Sequence, residues 1–315
     1  MKEVIKQRKV STKSKGTLGN RKWQLYGMMA IPLLFVIVFS YIPMFGIIIG
    51  FKDYKYSRGI LGSEWVGLKN FEFMVKSNDF WNITRNTILL NLLFIVVGVI
   101  SAVVVALIFY ELKSRIATKV YQTIFITPHF LSWVVVAYMV YALLSPEYGT
   151  INKILGAFGI SQINWYSEPK WWPLILTITN TWKIVGMDSV IYYAALMGID
   201  STLYEAAEVD GAGKLKIVKN IILPCLVPLI AILTILKIGN IFRADFGLFY
   251  QVTRDSGALY SVTDVIDTYL YRTLTVTGDM SLSTSVGFLQ SIVGMVLVLI
   301  TNYITRKINP DNALF

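Results

Sequence analysis

Long apolar blocks dominate this chain, and they leave few folds open to it. Six stretches carry the roughly 20 mostly apolar residues that a bilayer crossing needs. They lie at Leu25–Gly50, Asn86–Tyr110, Val120–Leu144, Trp172–Met197, Ile221–Ile241 and Leu282–Ile304. Backbone polar groups in lipid must be satisfied within the segment, so these read as helices. The alternating pattern of a membrane β-barrel is absent. The expectation is an all-α polytopic membrane protein with six transmembrane helices. Composition agrees: 55% of residues are hydrophobic and 15% charged, against about 25% charged in soluble domains. The fourth and fifth blocks are the least pure, holding Lys183, Asp188 and Lys237.

The net charge of +10 would suit nucleic acid, but its distribution argues against that partner. Lys2, Lys6, Arg8, Lys9, Lys13, Lys15, Arg21 and Lys22 precede the first block, against Glu3 alone. Basic residues flanking a first helix stay cytoplasmic. Lys113 and Arg115 in the short loop 111–119, and Arg306 and Lys307 after the last block, fall on the same side if there are six crossings. The loop 51–85 carries basic residues on the opposite side, but long loops weigh less in this rule. Both termini are therefore expected inside. The basic start has no small-residue cleavage pattern after it, so it does not read as a secretory signal.

Several chemistries lack material. With one cysteine, Cys225, no internal disulfide can form. With one histidine, His129, neither a zinc site nor a Cys-His pair is expected; His129 reads as structural or interfacial. There is no G-x-x-x-x-G-K-[ST] loop, and Gly211-Ala212-Gly213 lacks the third glycine of a dinucleotide fingerprint, Lys216 standing there instead. If ATP drives this protein, a partner must bind it.

Between the fourth and fifth blocks lies EAAEVDGAGKLKIVKNIILPCLVP, Glu205 to Pro228. Thr202-x-x-Glu205 has capping-box spacing, which predicts a helix start. Gly211 and Gly213 permit a sharp turn. Leu215, Ile217, Val218 and Ile221 continue as a second helix, and Pro224 predicts a kink or a helix start where the chain re-enters the membrane. The result is a short helix–turn–helix across the membrane face. Glu205-Ala206-Ala207, Gly211, Ile221, Leu223 and Pro224 fit the spacing EAA-x3-G-x9-I-x-L-P. That pattern resembles the cytoplasmic coupling loop of permease subunits in ATP-binding-cassette importers of type I. The resemblance implies that Glu205, Ala206, Ala207, Asp210, Gly211, Ala212, Leu223 and Pro224 form a docking element for an ATPase.

A second resemblance narrows the branch. WVGLKNFEFM, Trp65 to Met74, followed by Asn86-Thr87, is similar to carbohydrate-importer permeases related to the maltose system. PHFLSWVVVAYMV and the terminal Asn312-Ala313-Leu314-Phe315 resemble an LplB-like branch serving polyuronides and other complex oligosaccharides. The family implies a second, similar permease subunit in a heterodimer, two ATP-binding subunits, an extracellular solute-binding lipoprotein and an oligosaccharide cargo. It also implies a bacterial plasma-membrane location. The chain itself would bind no cofactor and no metal and catalyse nothing; ATP and magnesium would sit on the partner ATPase. The chain divides into a basic cytoplasmic tail (1–24), a six-helix permease domain (25–304, coupling loop about 199–220) and a cytoplasmic tail (305–315).

Ionisable groups within a membrane usually face a cavity or one another. Sugar recognition needs polar groups for hydroxyls and aromatic faces for C–H surfaces. Asn180, Trp182, Lys183, Tyr193, Asn240 and Arg243 are the candidate pathway residues. The bland reading is that the aromatics form interfacial belts and the polar groups bond between helices. Asp255, Asp264, Asp267 and Asp279 fall in a long polar loop, 245–280, whose YSVTDVIDTYLYRTL stretch predicts one amphipathic helix. Two other functions stay open: a permease for a non-sugar solute, and an ion-coupled secondary transporter using Lys183 and Asp188 as a relay. The second gives the loop at 205–228 no role, and no inverted repeat is evident.

Overall fold

The computed structural model describes residues 17–112 and 114–308, so the basic run before residue 17 and the terminal Asn312–Phe315 lie outside it. Among the described residues, four helices are long and apolar enough to cross a membrane: Lys22–Phe51, Asn78–Glu111, Lys214–Gly239 and Met280–Lys307. The third predicted span is broken. Arg115–Phe130 and Trp133–Leu144 meet at 99°, and count as a fifth only if the pair is one crossing. Arg115–Ile126 gives way to a 3-10 turn holding Pro128, Leu131 and Ser132 are extended, and the Ser132 hydroxyl accepts the Val135 N–H to start the second helix.

Trp172–Leu196 has the length, 25 residues, but not the hydropathy. Its polar residues explain why. Thr177, Thr179, Asn180, Lys183 and Ser189 are buried, and the helix makes its most extensive contact with Asn78–Glu111. A helix whose neighbours are protein need not be apolar all round.

Two prolines shape the spans. Before Pro43 and before Pro224 the helix opens into a single π turn, Ile37–Tyr41 and Val218–Ile222. In each, the residue preceding the proline donates its N–H five residues back, Ile42 to Ile37 and Leu223 to Val218. A proline ring clashes with the carbonyl four residues earlier and offers no N–H. One residue of widening accommodates both defects. Lys214–Gly239 therefore runs through Pro224 without a break, where the sequence predicted a kink or a new start.

The two ends of the helices differ. One end carries a cap built from 52–76 and 242–279. In it Lys52–Asp53 pairs antiparallel with Glu64–Trp65, and the Asn70 amide donates to the carbonyls of Gly50 (2.9 Å) and Lys52 (3.0 Å). The Asn86 amide reaches the carbonyls of Ser261 (3.2 Å) and Asp264 (3.1 Å), while the Ile266 N–H donates to the Thr87 hydroxyl at 3.0 Å. The stretch 260–274, expected as one helix, divides into Tyr260–Thr263 and Ile266–Thr275. It breaks because Asp264 and Val265 are extended, which turns the Asp264 carbonyl to Asn86 and its carboxylate to Arg272 and Thr268. Leu90, Phe94, Val136, Trp172, Leu248 and Val265 form the core toward this end. At the other end Ala102, Ala106, Leu196, Ile217, Ile222 and Leu226 tie the loop after Leu196 into the helices. The first helix stands apart: every residue from Lys22 to Phe45 is exposed.

Candidate functional site

Two places collect the residues singled out by sequence, and the hairpin at 200–217 is the first. Its helix, Ser201–Val209, starts at Asp200, whose carboxylate accepts the Thr202 N–H at 3.0 Å. That bond holds the exposed Asp200 carboxyl below its usual range. The cap is thus Asp200 rather than the Thr202–Glu205 box the spacing suggested, because the helix begins two residues earlier.

Its other end explains the motif. Gly211 has φ +73°; its N–H donates to Glu208 O at 3.0 Å, and the Ala212 N–H to Ala207 O at 2.9 Å. This is the Schellman pattern, with its glycine in the left-handed region and its paired 5→2 and 6→1 bonds. Ala207 supplies the carbonyl that closes the turn, and it packs with Ala212 in the same cluster. A Cβ on Gly211 would meet nothing within 4 Å, so the glycine is required by the backbone and not by crowding. Lys214 then begins the long helix, and its ammonium pairs with Glu111 at the end of Asn78–Glu111.

Ile217, Ile222 and Leu226 are buried against the helices. The opposite face presents Leu203 (46% exposed), Val209 (88%) and Leu215 (86%) with Glu205 and Ala206. Leu223 and Pro224 follow the π turn at the start of the span, Leu223 half-buried and Pro224 exposed.

The second place is a cleft of about 460 Å³ among Asn78–Glu111, Trp172–Leu196 and the end of Lys214–Gly239. Asn91, Asn180, Lys237, Asn240, Arg243 and Asp245 line it beside Phe94, Ile95, Ile184 and Leu236. So Asn180, Asn240 and Arg243 come together. Trp182 lies on another face of its helix, beside Leu93 and Ile178. Tyr193 packs edge-on against Phe109 at 6.4 Å.

Lys183 does not pair with Asp188. Asp188 meets Lys237 at 2.5 Å. The Lys183 ammonium instead donates to the carbonyls of His129 (2.8 Å), Leu131 (2.5 Å) and Pro128 (3.4 Å), all at the break in the bent pair. A cation is the complement that a helix C-terminus and its free carbonyls call for. One turn on, Gly186 lets the same two segments touch: a Cβ there would lie 1.9 Å from Phe125 O. Lys183 also sits 5.1 Å over the Trp133 ring, whose indole N–H donates to Asp245 at 2.7 Å. Gly247 accommodates that indole, since a Cβ would come within 2.2 Å of it. Lys183, Trp133 and Asp245 thereby connect the bend to the wall of the cleft.

Sequence reasoning missed Asn91, Trp133 and Gly186. Asn91 had a signal, as a lone amide in an apolar run. Its amide donates to Ile241 O (2.7 Å) and Arg243 O (3.2 Å).

A multi-pass helical body with a polar inner helix, a cleft beside it and a capped hairpin at one end defines a membrane translocation subunit. Over residues 94–311 the chain matches the family described as binding-protein-dependent transport system inner membrane component, and it belongs to that family. It is 34% identical, over 91% of its length and 89% of the relative's, to the polygalacturonan/rhamnogalacturonan transport system permease protein YteP of Bacillus subtilis (strain 168). It is 33% identical to Protein LplB of the same organism, over 92% and 90%. Among solved structures it resembles a chain of a bacterial ABC transporter involved in the import of the acidic polysaccharide alginate. That match has a TM-score of 0.83 and 33% identity, covering 92% of this chain and 97% of the other. A second structure shows the alginate transporter in complex with an alginate pentasaccharide-bound periplasmic protein, at TM-score 0.81 and 33% identity over 92% and 96%. Such relatives are permease subunits, the non-catalytic translocation components of ABC transporters, and this chain is a multi-pass membrane protein of that kind.

Proposed function

We propose that this chain is one of two permease subunits of an ATP-driven importer for an acidic oligosaccharide in a bacterial plasma membrane. The observation that carries the reading is the hairpin. It is locked by a Schellman turn, tied to the inner helix core by Ile217 and Ile222, and it displays Leu203, Val209 and Leu215 to solvent. An apolar knob rigidly joined to membrane helices suits transmission of force from a separate ATPase, one of two that bind ATP and magnesium. Glu205, Ala206, Ala207, Asp210, Gly211 and Ala212 form the knob; Leu223 and Pro224 join it to the span.

Trp172–Leu196 and the bent pair each count as a crossing, which gives six. The basic residues flanking the first span then put both termini, residues 1–24 and 305–315, and the hairpin in the cytoplasm. The body is 25–304, with the cap facing outward toward a solute-binding lipoprotein. The exposed first helix offers its face to lipid and to a second, similar permease. The cleft at Asn180, Asn240 and Arg243 is the solute's path, and the relatives named for polygalacturonan/rhamnogalacturonan transport and for alginate import support an acidic cargo.

The test is reconstitution of the chain with its partner permease, ATPases and binding protein in lipid nanodiscs. Oligogalacturonate delivered by the binding protein stimulates ATP hydrolysis. Gly211→Asp and Glu205→Lys leave the chain inserted but abolish the stimulation or release the ATPase. Unchanged stimulation and ATPase association in both variants would refute the hairpin's role.

A further inference from the structure

We propose that the cap end carries a subsite for one uronate ring, in the cleft between Trp133–Leu144 and the segment from Tyr250 to Asp255. The proposal rests on the sugar-importer reading and adds an entry point above the deeper cleft. The cleft holds about 220 Å³, room for a single pyranose ring with its carboxylate. Tyr138, Tyr141 and Tyr250 line it, Tyr138 with an exposed ring, Tyr141 with one face under Arg254 and Tyr250 with one face against Phe246; Gln251 and Arg254 supply polar groups.

Arg254 is the centre of the case. Its guanidinium lies 4.1 Å over the Tyr141 ring, and its backbone is left-handed at φ +56°, followed by Asp255 at φ +47°. Two consecutive non-glycine residues in that region are uncommon and mark a place where surrounding structure holds the chain against its preference. The holding bonds are visible: Asp255 N–H to Tyr250 O (3.2 Å) and Arg254 N–H to Gln251 O (3.1 Å). The neighbouring Asp255 also lines the cleft, but its charge is met by other partners. Asp255 accepts from Arg272 at 3.2 Å and from the Tyr260 hydroxyl at 3.0 Å, and Arg272 itself stacks 3.9 Å from the Tyr260 ring. Among the described residues Arg254 has no ion-pair partner.

A planar guanidinium that is stacked, exposed and unpaired is prepared for a bidentate carboxylate. Tyrosine faces around it match the C–H face of the sugar that bears one. The subsite also adjoins the deeper cleft. Val134 lines it, and the preceding Trp133 donates to Asp245 of that cleft at 2.7 Å. A concave pocket of one-ring size favours a saccharide over an acidic side chain of a docking protein, which would need no enclosure.

The test measures uptake by the complete reconstituted importer of two probes: trigalacturonate, and the same trisaccharide with its carboxyls reduced to alcohols. Arg254→Asn removes the charge while keeping a residue that tolerates left-handed backbone. It raises KM for trigalacturonate about ten- to hundred-fold, the range of a charge-assisted hydrogen bond. The kcat for trigalacturonate and the KM for the reduced probe stay unchanged. Arg254→Lys recovers part of the loss, and unaltered uptake of the reduced probe shows that the variants are folded. Equal KM for trigalacturonate in wild type and Arg254→Asn overturns the subsite. So does an equal loss on both probes with weaker capture of the binding protein, which makes Arg254 a protein-docking residue. A wild type that takes up only the reduced probe overturns the subsite and leaves a sugar importer standing. One that takes up neither overturns that reading as well.

Discussion

Lys183 takes partners that its own neighbourhood in the sequence does not announce. In sequence it is a cation inside an apolar helix, five residues from an acid, and nothing marks the carbonyls it meets more than fifty residues earlier. Those carbonyls exist because the helix ends at Phe130, and the end is visible only as Pro128 and Ser132 in an otherwise continuous apolar run. Lys183→Met leaves them without a donor, at about 1–3 kcal/mol for each buried group. Gly186→Ala pushes a methyl into the Phe125 carbonyl, an overlap that costs about 1–3 kcal/mol or more. Thermal unfolding of the purified chain should show both as clear losses, with Lys183→Arg less affected than Lys183→Met. An unchanged melting temperature in Lys183→Met would mean that these bonds do not hold the bend. Gly211 was legible for the opposite reason. Its requirement is local, a left-handed turn four residues after an alanine pair, and local requirements are written in adjacent residues.

Among the elements, the hairpin came through from spacing nearly whole, because EAA-x3-G is the length of a short helix plus its Schellman turn. The cap at 242–279 did not. Its helix Ile266–Thr275 depends on Asn86 and Thr87, far away in sequence, taking the groups that break the preceding turn. The cap also contains a titrating joint. Asp267 accepts the Ala244 N–H at 2.8 Å and the Gln290 amide at 3.2 Å, bridging the segment after Lys214–Gly239 to the last helix. Burial pushes its carboxyl above the ordinary aspartate range, and these bonds pull it back only in part. Between about 3.9, the unperturbed value, and that raised value, the folded chain holds a proton that the unfolded chain lacks. This contribution is therefore fully present below the window and is lost as pH rises through it. Melting temperature measured from pH 4 to pH 7 should fall with pH more steeply in wild type than in Asp267→Asn. Parallel profiles would remove Asp267 as the source.

For the whole molecule, the polar groups of the helix Trp172–Leu196 are buried inside protein, which lowers its hydropathy and leaves it out of the four long apolar helices found among the described residues. Orientation is testable with the chain's single cysteine replaced. In a Cys225→Ser background, an impermeant maleimide on intact cells should label Leu61→Cys, at a position 95% exposed in the cap, and spare Lys219→Cys until the cells are opened. The reverse labelling would place the hairpin outside and away from any cytoplasmic ATPase. The π turn at Val218–Ile222 bears on this architecture too. One additional residue in a helix rotates everything before it by about 100° around the axis. The hairpin and the fifth span are therefore out of phase by that angle, and the azimuth of Leu215 is set separately from the face that Lys237 and Asn240 turn to the cleft. With Pro224 replaced by alanine, deleting one residue between Val218 and Ile222 would restore a regular helix, yet turn the knob by about 100° relative to the cleft.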